Sequence, residues 1–360
     1  MKKIFFFPVL MMFIMLLSAC TNKEEGSIFS AVFFQMDSEI RINYMANNQD
    51  QANEIKAHIG EVYAMYHSLS DNYAPLEEDS PYLENIYTLN SKINQDVEID
   101  YELYMMLDES SRIKELTDGY FDISIGKIVK AWKDVILDPE SRDDGYVIPQ
   151  SVFEDLQDEI GLIEVQENPF TLSESSEKYY VRINHIDVQL DLGAIAKGYA
   201  TEIVKDYLIE NDVIYFAINA GSSTIAVGKN SNPERKNQQW NVELIDPLFD
   251  NEYFGLIELR DQAIATSGNN VQYATYNGLR YHHIVSPLTK YSMHYYHSLT
   301  MIGNDAGLLD ALSTAFFSMS PETITSWLAI HQEELGIEVI LYNYDGTITT
   351  HLLDTIFVGY

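Results

Sequence analysis

VQLDLGAIAKGYATEIVKDYLIEN, residues 188–211, changes its hydrophobic period in the middle. The apolar VQL reads as a strand running into Asp191. After Gly193 the spacing of Ile195, Tyr199, Ile203 and Leu208 predicts a helix. A strand that ends in Asp-x-Gly and turns into a helix sets a carboxylate beside a helix N-terminus, whose free N–H groups and positive dipole end attract anions. Lys197 adds a full charge in that first turn, where the dipole disfavours it, so its placement suggests a phosphate partner. The plainer reading is an ordinary helix start with Asp191 near the cap and Lys197 in solvent. Gly198 inside the helix costs about 1 kcal/mol against Ala, which points to a close approach by backbone or ligand.

Working outward, strands and helices come in mixed order with many hairpins. IFSAVFFQMDSEIRI, residues 28–42, predicts two strands about a turn at Met36-Asp37-Ser38. Residues 53–69, 100–116 and 151–160 show helical spacing, and the run GKIVKAW adds another helix after the Asp118-Gly119 turn. YYVRINHIDVQL, residues 179–190, reads as a hairpin turning near Asn184-His185. VIYFAINAGSSTIAVG gives a buried strand, a small-residue loop and a second strand. Short strands run on to Ile302, helices follow from Ala306 and Pro321, and IEVILYN and GTITTHLL close the chain as strands. This order favours an α+β fold with a mixed, mostly antiparallel sheet flanked by helices over a doubly wound parallel sheet.

Residues 1–20 read as a targeting segment, with Lys2 and Lys3 before an apolar run and Leu17-Ser18-Ala19-Cys20 after it. Cys20 is the one cysteine, so a structural disulfide is excluded and the thiol stands where a lipid attachment needs it. An ordinary cleaved signal with an incidental cysteine is the alternative. Residues 21–29 read as a flexible tether and 30–360 as one catalytic domain. Lipid on Cys20 would hold the chain at the outer face of the bacterial cytoplasmic membrane, or on the periplasmic side. Lys and Arg number 22 against 55 Asp and Glu, for a formal charge of −33. That excludes a nucleic-acid partner, which needs a basic surface, and means an anionic substrate must be met by local cations.

Two further stretches carry chemistry. In ATSGNNVQYATYNGLRYHHIVSPLTK, residues 265–290, Thr266-Ser267-Gly268 is a possible phosphate cradle in a turn. His282 or His283 there could serve as a general base near neutral pH. Asp310 and Thr314 lie four apart on one face of an apolar helix. Two hard oxygens suit Mg²⁺, which also takes phosphate and water, and a buried Asp needs a partner. A solvated helix charge is the alternative for Asp310. A zinc site from His282, His283, His294 and His297 needs helical spacing, whereas that region reads as strand and loop.

Taken together, QMDS with Met36, Tyr73 after Ser70-Asp71-Asn72, TDGYFDISIG, DLGAIAKGYA, INAGSSTIAVG, ATSG, HHIVSPLTK and DALSTAFFSM resemble, in order and spacing, the FAD:protein FMN transferase family, the ApbE-like flavin transferases. The resemblance covers nearly all of the mature chain and implies an ApbE-like, T-fold-related architecture. It implies FAD as substrate and Mg²⁺ as cofactor. The FMN half would pass to a threonine hydroxyl of a target redox protein, with release of AMP. It also implies that Met36, Tyr73, Tyr120, Phe121, Asp122, Asp191, Lys197 and Ile284 line the FAD site. The metal would take the main-chain oxygen of Ala194 and the side chains of Asp310 and Thr314, and His283 would deprotonate the threonine. Two positions depart from the family pattern. Asn219-Ala220-Gly221-Ser222-Ser223 stands where two glycines and then Asp or Asn are usual, and His283-Ile284-Val285-Ser286-Pro287 lacks the usual Asp before the proline. The alternatives to transfer are an FAD pyrophosphatase with water as nucleophile, giving FMN and AMP, and a non-catalytic, lipid-anchored flavin-binding protein.

Overall fold

The chain opens on a hairpin, β1 (Ser27–Gln35) and β2 (Ser38–Ala46), closed by Met36 and Asp37. Both turn residues have φ of 53°, the left-handed pair that a two-residue hairpin with twisted strands requires. This computed structural model describes residues 26–137, 146–221, 223–249 and 251–360. The targeting segment with Cys20, most of the 137–145 loop and Ser222 lie outside the described residues. Among those described, no helix is long and apolar enough to cross a membrane.

The hairpin is one edge of an eight-stranded sheet. Its other members are β6 (Phe216–Ala220), β7 (Thr224–Val227), β10 (Gln262–Gly268), β13 (Tyr296–Gly303), β14 (Glu338–Asn343) and β15 (Ile348–His351). The order is β1-β2-β6-β7-β10-β13-β14-β15, and every neighbouring pair is antiparallel. One face is covered by α1 (Gln49–Ser70), α6 (Ala196–Glu210) and α7 (Ala306–Phe317), with α3 (Tyr101–Leu116) outside them and the single turn α2 (Ile86–Leu89) between α1 and α3 in the chain. Ile55, Ile59, Val62, Tyr66 and Leu69 of α1 repeat at helical spacing, and all are buried. The opposite face carries a small sheet of β8 (Trp240–Ile245), β9 (Tyr253–Leu259) and β16 (Ile356–Gly359), joined by Ile257, Leu259, Ile264 and Ile302. A third core lies around Trp132, where α4 (Gly126–Ile136) and α5 (Gln150–Gly161) meet the hairpin β11 (Tyr273–Tyr276) and β12 (Leu279–His282). The helix α8 (Pro321–Leu335) follows α7 and ends at Gly336 in the left-handed conformation.

Two sequence expectations need correction. The hairpin of residues 179–190 does not turn at Asn184-His185. Instead β5 (Lys178–Ile183) pairs with β4 (Phe170–Ser175) about Ser176-Glu177, both at positive φ, and with β3 (Val97–Ile99) on its other side. Nor is VQL a strand of a sheet. It is an extended segment bridged in parallel to Ile125, with Gly126 N–H donating to the Gln189 carbonyl and Asp191 N–H to that of Ile123, each at 2.8 Å. Alternation of apolar residues marks extended backbone but not its partner, and here the partner lies on the α4 side.

Candidate functional site

Asp191 arrives at the head of α6 by that extended bridge. Its Oδ1 accepts from Gly193 N–H at 2.8 Å, which tightens the turn before the helix. Lys197 and Gly198 then fall in the first helical turn. Gly198 N–H, which an uninterrupted helix would direct to the Ala194 carbonyl, donates to Asp310 Oδ2 of α7 at 2.9 Å. No hydrogen bond to the Ala194 carbonyl forms among the described residues. A Cβ on Gly198 would run into the Ala306 carbonyl and Asp310 Cβ, so the glycine serves the crossing of α6 and α7. Of its two expected roles, close backbone approach is the one seen.

Asp310 is thereby drawn into the interior. Burial raises its carboxyl pKa from the usual range to about 6, against the opposing pull of Lys197, the Gly198 N–H and the Thr224 hydroxyl. Among the described residues the hydroxyls of Ser223 and Thr224 are buried and complete no hydrogen bond, although Thr224 lies close enough to Asp310 to favour its ionised form. Thr314, one turn further along α7, is half-buried, and its side chain forms no hydrogen bond among the described residues. One carboxylate, one free carbonyl and a hydroxyl on the carboxylate's face make a sparse oxygen set. Such a set fits a divalent cation that keeps water and substrate phosphate in its shell, as Mg²⁺ does. Among the described residues no group of three or more His, Cys, Asp or Glu side chains gathers as a metal cage. Two of the four histidines are engaged by backbone: His282 is fully buried with Nε2 3.1 Å from the Met293 oxygen, and His297 Nε2 lies 3.2 Å from that of Tyr344.

The other walls come from distant parts of the chain. Gly221, at φ 68°, lies at the end of β6 with its N–H donating to the Glu39 carbonyl of the first hairpin. A Cβ there would overlap Ser38 and lie 3.8 Å from Lys197 Nζ, so the Met36 turn, the β6–β7 loop and Lys197 are neighbours. Met36 N–H is held by His67 Nδ1 at 3.0 Å. His283 follows β12. Burial, and then the Lys133 ammonium, depress its pKa to about 4, with a smaller push from Lys197. It is therefore a neutral imidazole at neutral pH. Among the described residues neither its Nδ1 nor the buried Ser286 hydroxyl has a hydrogen-bond partner. Ile284 beside it is buried in the main core.

Lys133 escaped the sequence reading. Its Nζ lies 3.6 Å from Asp191 Oδ2 and 3.4 Å from the Tyr73 hydroxyl, joining α4 to the α6 turn and to a largely exposed aromatic of the loop after α1. The available signal was Lys127, Lys130 and Lys133 within eleven residues of helix in a strongly acidic chain. Tyr120, Phe121 and Asp122 sit deeper. Phe121 is buried with its N–H on the Thr117 hydroxyl, Tyr120 is half-buried against the main core, and Asp122 forms an ion pair with Lys114 at 2.8 Å. Asp122 Oδ1 also accepts from Ser124 N–H, while Oδ2, which faces Lys114, completes no hydrogen bond among the described residues. The phosphate cradle read at Thr266-Ser267-Gly268 needs correction. These residues end strand β10, and their hydroxyls bond Thr300 and Ser313, each at 2.9 Å.

Comparison with known proteins bears on this arrangement. A sequence model described as the ApbE family matches residues 36–341. The FAD:protein FMN transferase of Haemophilus influenzae is 24% identical over 338 residues, covering 93% of this chain and 92% of its own. That of Vibrio cholerae is 30% identical over 219 residues, 59% of this chain and 60% of its own. Among solved structures, the ApbE protein of Thermotoga maritima superposes with a TM-score of 0.70 at 24% identity, over 90% of this chain and 96% of its own. The flavin transferase ApbE of Vibrio cholerae gives 0.68 at 21%, over 91% and 98%.

Proposed function

This chain belongs to the ApbE family, and from that membership we propose that the cleft between α6, α7 and the first hairpin is the active site of an FAD:protein FMN transferase. The observation that carries the reading is the Gly198–Asp310 hydrogen bond. It brings the buried carboxylate of one helix to the anion-attracting end of another, where the charge of Lys197 bears on both that carboxylate and the neutral imidazole of His283.

The substrate is FAD and the acceptor a hydroxyl on a second protein, for which we take threonine. Lys197 binds the diphosphate, countering the adverse field of a chain with formal charge −33. Asp310, the Ala194 carbonyl and Thr314 would hold Mg²⁺, which when bound neutralises charge on the transferring phosphoryl group. His283 is neutral because burial and Lys133 disfavour its protonated form. A neutral imidazole accepts the proton of the incoming hydroxyl. The hydroxyl oxygen then attacks the FMN phosphorus in line, the diphosphate P–O bond breaks, and AMP leaves with the electron pair. The lipid on Cys20 would tether the enzyme to the outer face of the cytoplasmic membrane, within reach of membrane redox proteins.

The test is incubation with FAD, Mg²⁺ and a threonine-bearing target domain, followed by mass spectrometry under denaturing conditions. A target heavier by one FMN less water supports transfer. Free FMN and AMP with unmodified target would mean hydrolysis, and unchanged FAD would mean binding alone.

A further inference from the structure

Lys133 stands in the last turn of α4, where a cation complements the helix dipole. Its neighbour Trp132 is fully buried and donates Nε1–H to the Lys290 carbonyl at 2.9 Å, so the backbone is pinned at this point. The side chain is about a quarter exposed and reaches from there to Asp191 at the head of α6. Burial works against its charge, but Asp191 and Tyr73 outweigh that and hold the ammonium above the usual lysine range. It is a permanent cation at neutral pH.

Its contacts are loose for so enclosed a charge. The 3.6 Å to Asp191 and 3.4 Å to Tyr73 are both longer than a well-formed N–H···O bond. An ammonium has three donors, and an enclosed one is expected to have them well used. Asp191 is itself engaged by Gly193 N–H through its other oxygen. Elsewhere in this chain, lysines that meet carboxylates do so closely, as Lys114 with Asp122 and Lys178 with Glu98, each at 2.8 Å. Lys133 also faces inward, since its charge bears on His283 together with that of Lys197.

We propose that Lys133 is a further substrate-binding residue, whose ammonium turns from its loose seat between Asp191 and Tyr73 onto the anionic phosphates of the flavin dinucleotide. Lys197 meets the diphosphate from the α6 side and Lys133 from the α4 side. Two cations flank two phosphate charges, which is the local compensation that a strongly acidic chain needs. The inference rests on the flavin reading of the cleft.

The test is titration of wild type, Lys133→Met and Lys133→Arg with FAD and with riboflavin, without metal or acceptor, followed by flavin fluorescence. Methionine keeps an unbranched stem and removes the charge. Loss of one charge-assisted hydrogen bond is expected to weaken FAD about tenfold, leave riboflavin unchanged and be largely restored by arginine. Lys133→Gln is the second variant should the methionine protein fail to fold. Unchanged FAD affinity would overturn the proposal. Equal weakening of both ligands would overturn it too, because Lys133 would then act only by holding Asp191 and Tyr73. A wild type that binds neither ligand would sink the flavin reading itself, and this inference with it.

Discussion

Gly198→Ala tests the crossing on which the site is built. In most helices this change stabilises by about 1 kcal/mol, because alanine loses less backbone freedom and glycine has the poorer helix propensity. Here the new methyl would lie 3.1 Å from the Ala306 carbonyl carbon, with the carbonyl oxygen and Asp310 Cβ closer still. Carbon atoms pack at about 3.5–4.0 Å, so α6 and α7 must separate by several tenths of an ångström or more. Overpacking of this kind costs about 1–3 kcal/mol. With two contacts far inside packing distance, to the Ala306 oxygen and Asp310 Cβ, the cost falls at the upper end of that range, so after the propensity gain the net loss is about 1–2 kcal/mol, or a fall in Tm of about 1.5–3 °C for a chain of this length. The same separation lengthens the Gly198–Asp310 bond, so the rise in Tm on adding Mg²⁺ and FAD should shrink as well. Thermal melting with and without both ligands measures the two effects. Gly161→Ala is the internal control: no atom lies within 4 Å of its built Cβ, and it should gain about 0.5–1 kcal/mol. If Gly198→Ala melted at or above wild type while Gly161→Ala behaved as expected, the helices would not be in the contact described, and the argument for the site would fail with them.

Other consequences are as direct. Asp310→Asn keeps the acceptor for Gly198 N–H but removes the one carboxylate of the oxygen set. Metal-dependent transfer should fall by about a hundredfold or more while the metal-free protein melts no lower than wild type; full activity would remove Asp310 from the ligands. His283→Gln should slow transfer by about 10²–10⁴ and spare FAD affinity, and an unchanged rate would require another base. Because the folded His283 pKa is depressed to about 4, His283 itself should impose no fall in rate as pH passes 6.5; a fall near 6 belongs to Asp310, whose carboxyl is raised to about 6, and should be relieved by excess Mg²⁺. By the same sign, the contribution of His283 to stability is present above about 6.5 and is lost as pH falls from there towards 4. Fractionation of cells expressing Cys20→Ala should find the protein released from membranes with its activity intact, and retention would dismiss the lipid tether.

Much of the site was legible because it is written in residues that local structure penalises. A lysine in the first turn of a helix, a glycine inside it and an aspartate in the apolar run of α7 each cost stability where they stand, and all three meet at one place. The hairpin at Met36 and helices α1, α3, α5 and α7 were readable from period and turn chemistry alone. What misled was extended backbone. Residues 179–190 alternate as a hairpin would, but β5 finds its partners in β3 and β4. The hydroxyls of Thr266 and Ser267 read as a cradle, yet each is used by a neighbouring hydroxyl across the fold. Lys133 was passed over because a lysine in the last turn of a helix is locally favourable and so raises no suspicion.

The sequence alone determined the family, the antiparallel α+β character, the acidic charge that demands local cations, and Lys197 and Asp310 each as a residue to watch. These follow from composition, short-range spacing and motif order, all of which are properties of the linear chain. Tertiary structure decided that Gly198 gives its N–H to Asp310, that Asp122 pairs with Lys114, that His283 is held neutral, and that Lys133 reaches Asp191. Each depends on burial or on a charge brought close from more than a hundred residues away, or from the far end of another helix. Solvation and Coulomb energy are set by distance in space, and separation along the chain does not encode it.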